Sequence, residues 1–441
     1  MHFPPGTILC LTLATTLPVR QLAAQASNAG CRPYVWSSPR PLTMPDGRPI
    51  YVEAPVPVRF AGGLALLGTP TFVWNTPTVF ADTGATVRPL VDPSRLAGVV
   101  VKSGQGATLV PMPPGATRML APQAVPRDDG SLDVFWGESP DTSYHALARV
   151  PEVWYARLDP SGWSAPERVL VFDEVWWNDS YPVARRIGGQ TVVAVPVRQT
   201  KTPGDTNGVM YLRRDHGTWR RTWIPTAPPP PADLALAASS DHDIALTFIG
   251  SGFFPPSGVE PSGVFVVRSH DAGATWTPPR SIADLDTSGV NWLRLVGTPD
   301  GTLHLVWSVD QTLSGDLHAR TIASAASHDD GASWQLGRSV INDPYVEVFT
   351  AARLGDSVLV VGRYHDGHQL AAGAMAGDGT IPWRPLPFDA AETVPRLVAL
   401  GPDSLMLNWG TRRSGAYPLF PDFPAPLLET SIITTWCDSV P

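Results

Sequence analysis

Apolar and polar positions alternate along this chain in short runs separated by turns, and three of the runs share one form. Leu132-x-Val134-x-Trp136, Leu303-x-Leu305-x-Trp307 and Leu405-x-Leu407-x-Trp409 each follow a turn, at Asp129-Gly130, Asp300-Gly301 and Pro402-Asp403. Period-two alternation directly after such a turn predicts a strand leaving a hairpin. Weaker copies lie at residues 192–197, 244–248 and 358–361, and Gly63–Leu67 fits as the first member. The runs begin near 63, 131, 190, 243, 302, 357 and 404, so the spacing is 50 to 70 residues. No long segment carries a 3.6-residue period, and the predicted class is all-β.

A second repeat runs independently of the first. Ser269-His270-Asp271-Ala272-Gly273-Ala274-Thr275-Trp276 and Ser327-His328-Asp329-Asp330-Gly331-Ala332-Ser333-Trp334 are near-copies 58 residues apart. Such an octet has the chemistry of a tight turn between strands. Gly supplies a backbone angle that other residues resist, and Asp and Ser side chains bond nearby backbone groups. The Trp then opens the next strand and fills space between stacked sheets. Degenerate versions end in Trp163, Trp219 and Trp383, so the tryptophans recur at intervals of 56, 57, 58 and 49 residues. A four-stranded unit repeating at this interval predicts the blades of a β-propeller, since unrelated sandwich domains would not keep a regular Trp.

Both octets resemble the Asp box (Ser-x-Asp-x-Gly-x-x-Trp) of the sialidase, or BNR-repeat, superfamily, with Ser269, Asp271, Gly273 and Trp276 in one and Ser327, Asp329, Gly331 and Trp334 in the other. The resemblance implies a propeller in which the box is a structural turn, remote from the catalytic face. Sialidases have six blades. The pattern here reads as seven, or six if residues 43–115 decorate a neighbouring blade.

The last unit lacks a fourth strand, and the N-terminus offers one. Trp36-Ser37-Ser38-Pro39-Arg40 resembles Trp276-Thr277-Pro278-Pro279-Arg280, which follows a box turn. Residues 32–42 are therefore expected to close the ring as the outer strand of the last blade, removing open sheet edges. Cys31 and Cys437 would then face each other where an ordinary blade has its continuous turn. A disulfide at that place would add on the order of 4–5 kcal/mol by chain entropy.

Composition fits an exported, turn-rich domain. Of 441 residues, 48 are Pro, 39 are Gly and 16 are Trp, which suits many turns and stacked sheets. Residues 8–17 are apolar and Ala24-Gln25-Ala26 has the form of a cleavage site, so residues 1–26 read as a signal peptide and 27–441 as one propeller domain. The expected location is secreted, periplasmic or at the cell envelope. Of three cysteines, Cys10 lies in the leader, which leaves Cys31 and Cys437 to pair. The other reading of Cys31 is a lipid-modified N-terminus, because Ala29-Gly30-Cys31 partly fits a lipobox. A net charge of −8 without any basic run argues against nucleic acid as a partner. No apolar run is long enough to span a membrane. A monomer is expected.

Candidate chemistry belongs on the face opposite the boxes, over the central channel. The loop 172–181 combines Asp173, Glu174 and Asp179 with Trp176, Trp177 and Tyr181. Aromatic faces stack on sugar rings, and carboxylates provide acid, base or nucleophile. The alternative is that the tryptophans pack between blades and the acids are solvated. Arg294 and Arg396 each stand nine residues before the first Leu of the Leu-x-Leu-x-Trp strand, at equivalent places on innermost strands. Arg59, Arg185 and Arg186 lie nearby in their own blades. Guanidinium groups around one channel would make an anion site, with ion pairs inside the channel as the structural alternative. Sialidases hold the sialic acid carboxylate with an arginine cluster. Their Arg-Ile-Pro string is absent here, the nearest being Val58-Arg59-Phe60 and Arg48-Pro49-Ile50, so no catalytic role is carried over.

Lesser candidates are Tyr345 with Glu347, and Tyr364-His365-Asp366-Gly367-His368, a short cluster that reads as a polar loop before a metal site. The loop 250–263 could cover the channel mouth. No Gly-rich phosphate motif and no Ser/His/Asp set is present, so neither cofactor nor metal is predicted. Two functions fit. One is a carbohydrate-active propeller that binds an anionic sugar through Arg294 and Arg396 and uses Asp173, Glu174 or Asp179 to hydrolyse it. The other is a non-catalytic propeller that binds a protein or glycan at the envelope.

Overall fold

The computed structural model describes residues 31–36, 40–41, 56–67, 96–102, 106–117, 119–138, 152–171, 182–199, 206–215, 217–226, 231–250, 262–285, 289–312, 318–337, 346–364, 369–389, 395–401, 404–411, 416–417, 420–424 and 427–437. These residues form seven antiparallel blades and one small two-stranded sheet, Ala416–Tyr417 with Phe420–Pro424. The inner strands, in order from blade one to blade seven, are Val56–Phe60, Leu120–Pro126, Val183–Ile187, Pro231–Ala238, Gly289–Gly297, Val346–Leu354 and Arg396–Gly401. Each touches the next, and the seventh touches the first, so the ring is closed. Among the described residues no helix is long and apolar enough to cross a membrane.

The alternating runs are the second strands. They begin at Gly63, Leu132, Gln190, Ile244, Leu303, Ser357 and Ser404. Both faces of a blade pack on a neighbouring blade, so both parities of these strands are buried. Ile244–Gly250 is buried at every position, and Leu132, Val134 and Trp136 are fully buried. A strand covered on both sides can carry apolar residues without interruption.

Ring closure follows the expected route. Cys31–Trp36 and Arg40–Pro41 both pair with Leu427–Cys437, as the outer edge of blade seven. The register sets Cys31 directly opposite Cys437 and Arg32 opposite Trp436.

The two octets fold alike. Ser269 Oγ accepts the Gly273 amide at 2.7 Å, and Asp271 accepts the Thr275 amide at 2.8 Å and its hydroxyl at 2.6 Å. Ser327 and Asp329 repeat this with Gly331 and Ser333 at 2.9, 2.8 and 2.6 Å. Burial pushes the Asp271 carboxyl up, but bonds from Thr275 and Ser269 outweigh it and hold the pKa at about 2. The chain turns through two left-handed residues, Ala272 (φ 56°) and Gly273 (φ 89°), and again at Asp330 (φ 57°) and Gly331 (φ 82°). Trp276 does not open a strand. It precedes Arg280–Leu285, donates Nε1–H to the Gly273 carbonyl, and stacks edge-on against Tyr211 of blade three, ring centroids 5.1 Å apart. Trp219 meets Tyr155 of blade two in the same way, at 5.4 Å. The recurring Trp is thus an inter-blade wedge.

Box turns share one face with the turns after the inner strands. The Ala272 amide bonds the His242 carbonyl, and Ser239 Oγ bonds Asp330, both 239 and 242 lying in the first turn of blade four. Beneath that face Asp133, fully buried, accepts bonds from Tyr155 (2.7 Å), Arg127 (3.1 Å) and Thr191 of the next blade. A buried carboxylate survives only with such partners.

Candidate functional site

The opposite ends of the inner strands are irregular. Register shifts occur near the first residues in blades two (Leu120/Gln123), four (Pro231/Leu234), five (Asn291/Leu293) and six (Val346/Phe349). A bulge adds an unpaired residue and re-aims its side chain. In blade five the bulge holds Trp292 at φ 58°. A left-handed bulky residue costs on the order of 1–2 kcal/mol, and such strain persists where surrounding structure enforces it.

The enforcing group is Asp233, from the bulge of blade four. Its Oδ2 accepts the Leu293 amide at 2.7 Å, across the blade boundary, and its Oδ1 accepts its own neighbour's amide, Leu234, at 3.0 Å. Arg294 Nη1 stands 3.8 Å from Asp233 Oδ2 and donates to the Leu293 carbonyl at 2.6 Å. The Arg294 guanidinium lies 5.9 Å from the centre of the Trp292 ring. Asp233 and Arg294 are 19% and 20% exposed, so the pair is shielded but reachable.

Two more arginines act on this pair from across the ring. Burial pushes the Asp233 carboxyl up, while Arg294, the Leu293 and Leu234 amides and Arg396 pull against it. Arg185 lies on the inner strand of blade three and is exposed. Desolvation, reinforced by the Arg294 guanidinium, lowers its pKa to about 10. Its Nη1 donates to the Ala184 carbonyl at 2.9 Å. Blades three and five are not neighbours, nor are four and seven, so these interactions run over the central axis. Arg294 and Arg396 act on Asp233, and Arg185 acts on Arg294. The excess positive charge suits an anion.

Other expected residues fall elsewhere. Arg186 turns away and donates to Asp128 at 2.7 Å, at the turn on the box face. Arg59 donates to the Leu400 carbonyl at 2.6 Å and fastens blade one to blade seven. Asp173, Glu174, Trp176, Trp177, Asp179 and Tyr181 lie outside the described residues, as do Tyr345, His365, Asp366, His368 and residues 251–261. Glu347 and Tyr364 are described in backbone only. Sequence reasoning missed Asp233 and Trp292. A signal existed, since each stands eleven residues before the first residue of its second strand, Ile244 or Leu303.

No family model matches the chain, and no curated protein does. Solved structures do resemble it. The polysaccharide lyase Uly1 aligns with a TM-score of 0.54 at 10% identity, over 87% of this chain and 90% of the lyase. A Dyadobacter fermentans protein of unknown function gives 0.47 at 16% identity, over 72% of this chain and 95% of that one. An α-L-arabinanase of Penicillium chrysogenum complexed with arabinobiose gives 0.45 at 13%, over 72% and 93%. The likeness to the lyase is one of fold. With its closed ring of seven blades, the chain is a β-propeller.

Proposed function

We propose that this protein is an exported carbohydrate-active propeller that binds an anionic sugar at the centre of its ring. The observation that carries the reading is the pairing of Arg294 with Asp233, on which Arg396 also acts, with Arg185 acting on Arg294. Arginine heads present paired N–H donors that match a carboxylate edge. Trp292, held beside Arg294, offers an aromatic face to a sugar ring. Glycoside hydrolysis uses two carboxylates. Asp233 is one, and Asp173, Glu174 or Asp179 of the loop 172–181 would supply the other. The fold shared with a polysaccharide lyase supports carbohydrate as the ligand class.

A panel of neutral and acidic sugars, read by calorimetry and by turnover, tests this. Acidic sugars should bind and neutral ones should not. Arg294→Ala or Arg396→Ala should weaken binding roughly 10- to 100-fold, the worth of a charge-assisted hydrogen bond. Equal binding of neutral sugars, or no effect of either substitution, overturns the reading. Binding without turnover on any glycoside favours the second function, a glycan-binding propeller at the envelope. The single carboxylate among the described residues of the cluster is what supports that alternative.

Export also carries the proposal that Cys31 and Cys437 form a disulfide, supported by their facing register. An exported thiol oxidase would remove the two electrons and two protons. Intact mass two protons lighter than the dithiol supports the bridge. A diacylglycerol adduct on Cys31, with Cys437 free, refutes it.

A further inference from the structure

Asp233 stands where an incoming anion would have to approach. It is the one carboxylate of the described cluster, and two of its bonds are to backbone amides that cannot follow a ligand. We infer that anion binding at this site is coupled to protonation of Asp233, so that anion binding draws protons from solution and tightens as pH falls. This rests on the anionic-ligand reading above and adds its pH dependence and its proton stoichiometry.

The charges around Asp233 decide the sign. Arg294 comes from the inner strand of blade five, Arg396 from that of blade seven, and Arg185 from that of blade three, facing Arg294. The inner strand of blade two, Leu120–Pro126, carries no charged residue. In blade one Arg59 is engaged with Leu400, and in blade six Glu347 lies at the bulge. Without ligand, burial outweighs the opposing pull of Arg294, the Leu293 and Leu234 amides and Arg396, and the carboxyl lies above its ordinary value. A bound anion draws on the same guanidinium groups. It weakens what opposes burial at Asp233 and places a like charge beside it. Both effects raise the pKa of Asp233 in the complex above that in the free protein. A carboxyl whose pKa rises on binding takes up a proton between the two values, and affinity grows as pH falls through that window.

The Asp233 proton has a place to go. Protonated, one oxygen still accepts an amide, and the O–H faces the anion as a donor. The same group that repels an anion when ionised then recognises it.

Isothermal titration in buffers of different ionisation heat reads the proton count directly. The probes are galacturonate, N-acetylneuraminate and sulfate, all ionised across the range, at about pH 5 and about pH 7. For a rise of about one pKa unit, wild type should take up about half a proton per anion at the centre of the window. A rise of about one pKa unit on binding gives roughly tenfold tighter binding at the acid end. Asp233→Asn should bind with no proton uptake and a flat pH profile, its fold checked by melting temperature. Sugar acids binding to wild type without proton uptake overturn the coupling and leave the anionic-sugar reading standing. Sulfate bound with uptake, and no sugar acid bound, does the reverse. No binding of any anion overturns both. An unfolded Asp233→Asn leaves the wild-type proton count as the decisive measurement.

Discussion

Gly273 and Gly331 occupy the same place in the two box turns, yet the structure assigns them different costs of substitution. Both are left-handed, at φ 89° and 82°, so an alanine at either would be strained by about 1–2 kcal/mol. At Gly331 the added methyl would find ordinary contacts, 3.4 Å from Arg268 Cδ, 3.5 Å from the Trp334 ring and 3.6 Å from Ala245 Cβ. At Gly273 it would overlap Tyr211 Cε1 and stand 2.6 Å from Cζ. Tyr211 is 1% exposed and pinned edge-on by Trp276, so it cannot swing clear. Overpacking of this kind costs about 1–3 kcal/mol more. Gly331→Ala should therefore lose about 1–2 kcal/mol and Gly273→Ala about 2–5 kcal/mol. For a chain of this size unfolding as one unit, each kcal/mol moves the melting temperature by about 1 °C. Scanning calorimetry and urea melts on the two variants, side by side, make the comparison. Adding Tyr211→Leu to Gly273→Ala should recover part of the excess, and the same addition to Gly331→Ala should not. Equal losses in the two single variants, or no recovery, would refute the reasoning that Tyr211 separates them.

Two further outcomes are expected. His304 is buried, and burial, with His328 adding to it and Asp300 opposing, lowers its pKa from 6.5. Its neutral form favours folding, so stability is full above about pH 6.5 and declines as pH falls through the lowered value. His304→Leu should flatten the acid limb of a plot of melting temperature against pH, and an unchanged slope would exclude His304 as its source. If Cys31 and Cys437 are joined, reductant or Cys31→Ser should lower the melting temperature and do so without altering the far-ultraviolet spectrum. Identical melts with and without reductant would remove the bridge from the stability account.

What could be read in the sequence was local. The second strand of a blade lies between two covered faces, so its run of apolar residues and terminal Trp are set by the strand itself. The box turn is likewise made within eight residues. Arg294 and Arg396 became visible because they keep a fixed offset from that strand. Asp233 did not, because its role depends on two bulges in different blades and on the Leu293 amide, a partner 60 positions away. The wedge role of Trp276 was missed for a related reason. A tryptophan before a polar Thr-Pro-Pro string looks like a strand opening, and only the neighbour's Tyr211 shows what its ring is for. Arg185 and Arg186 were indistinguishable as a pair. Strand alternation sends one to the channel and the other to Asp128.

The pairing of Cys31–Trp36 with Leu427–Cys437 bears on how the protein comes to exist. Blades two to six are made of consecutive hairpins and can form as the chain is synthesised. Blade seven cannot, because its outer strand precedes the other six blades in the chain and its partner follows them. The first strand must therefore wait, unpaired, until the intervening blades and Leu427–Cys437 have been made. A chain halted before residue 427 would hold a partly built ring with that strand free and blade seven's second strand uncovered. Such an edge invites pairing with another copy or with a chaperone. Leu427–Cys437 thus serves as a check on assembly, since the ring seals only when that strand has arrived.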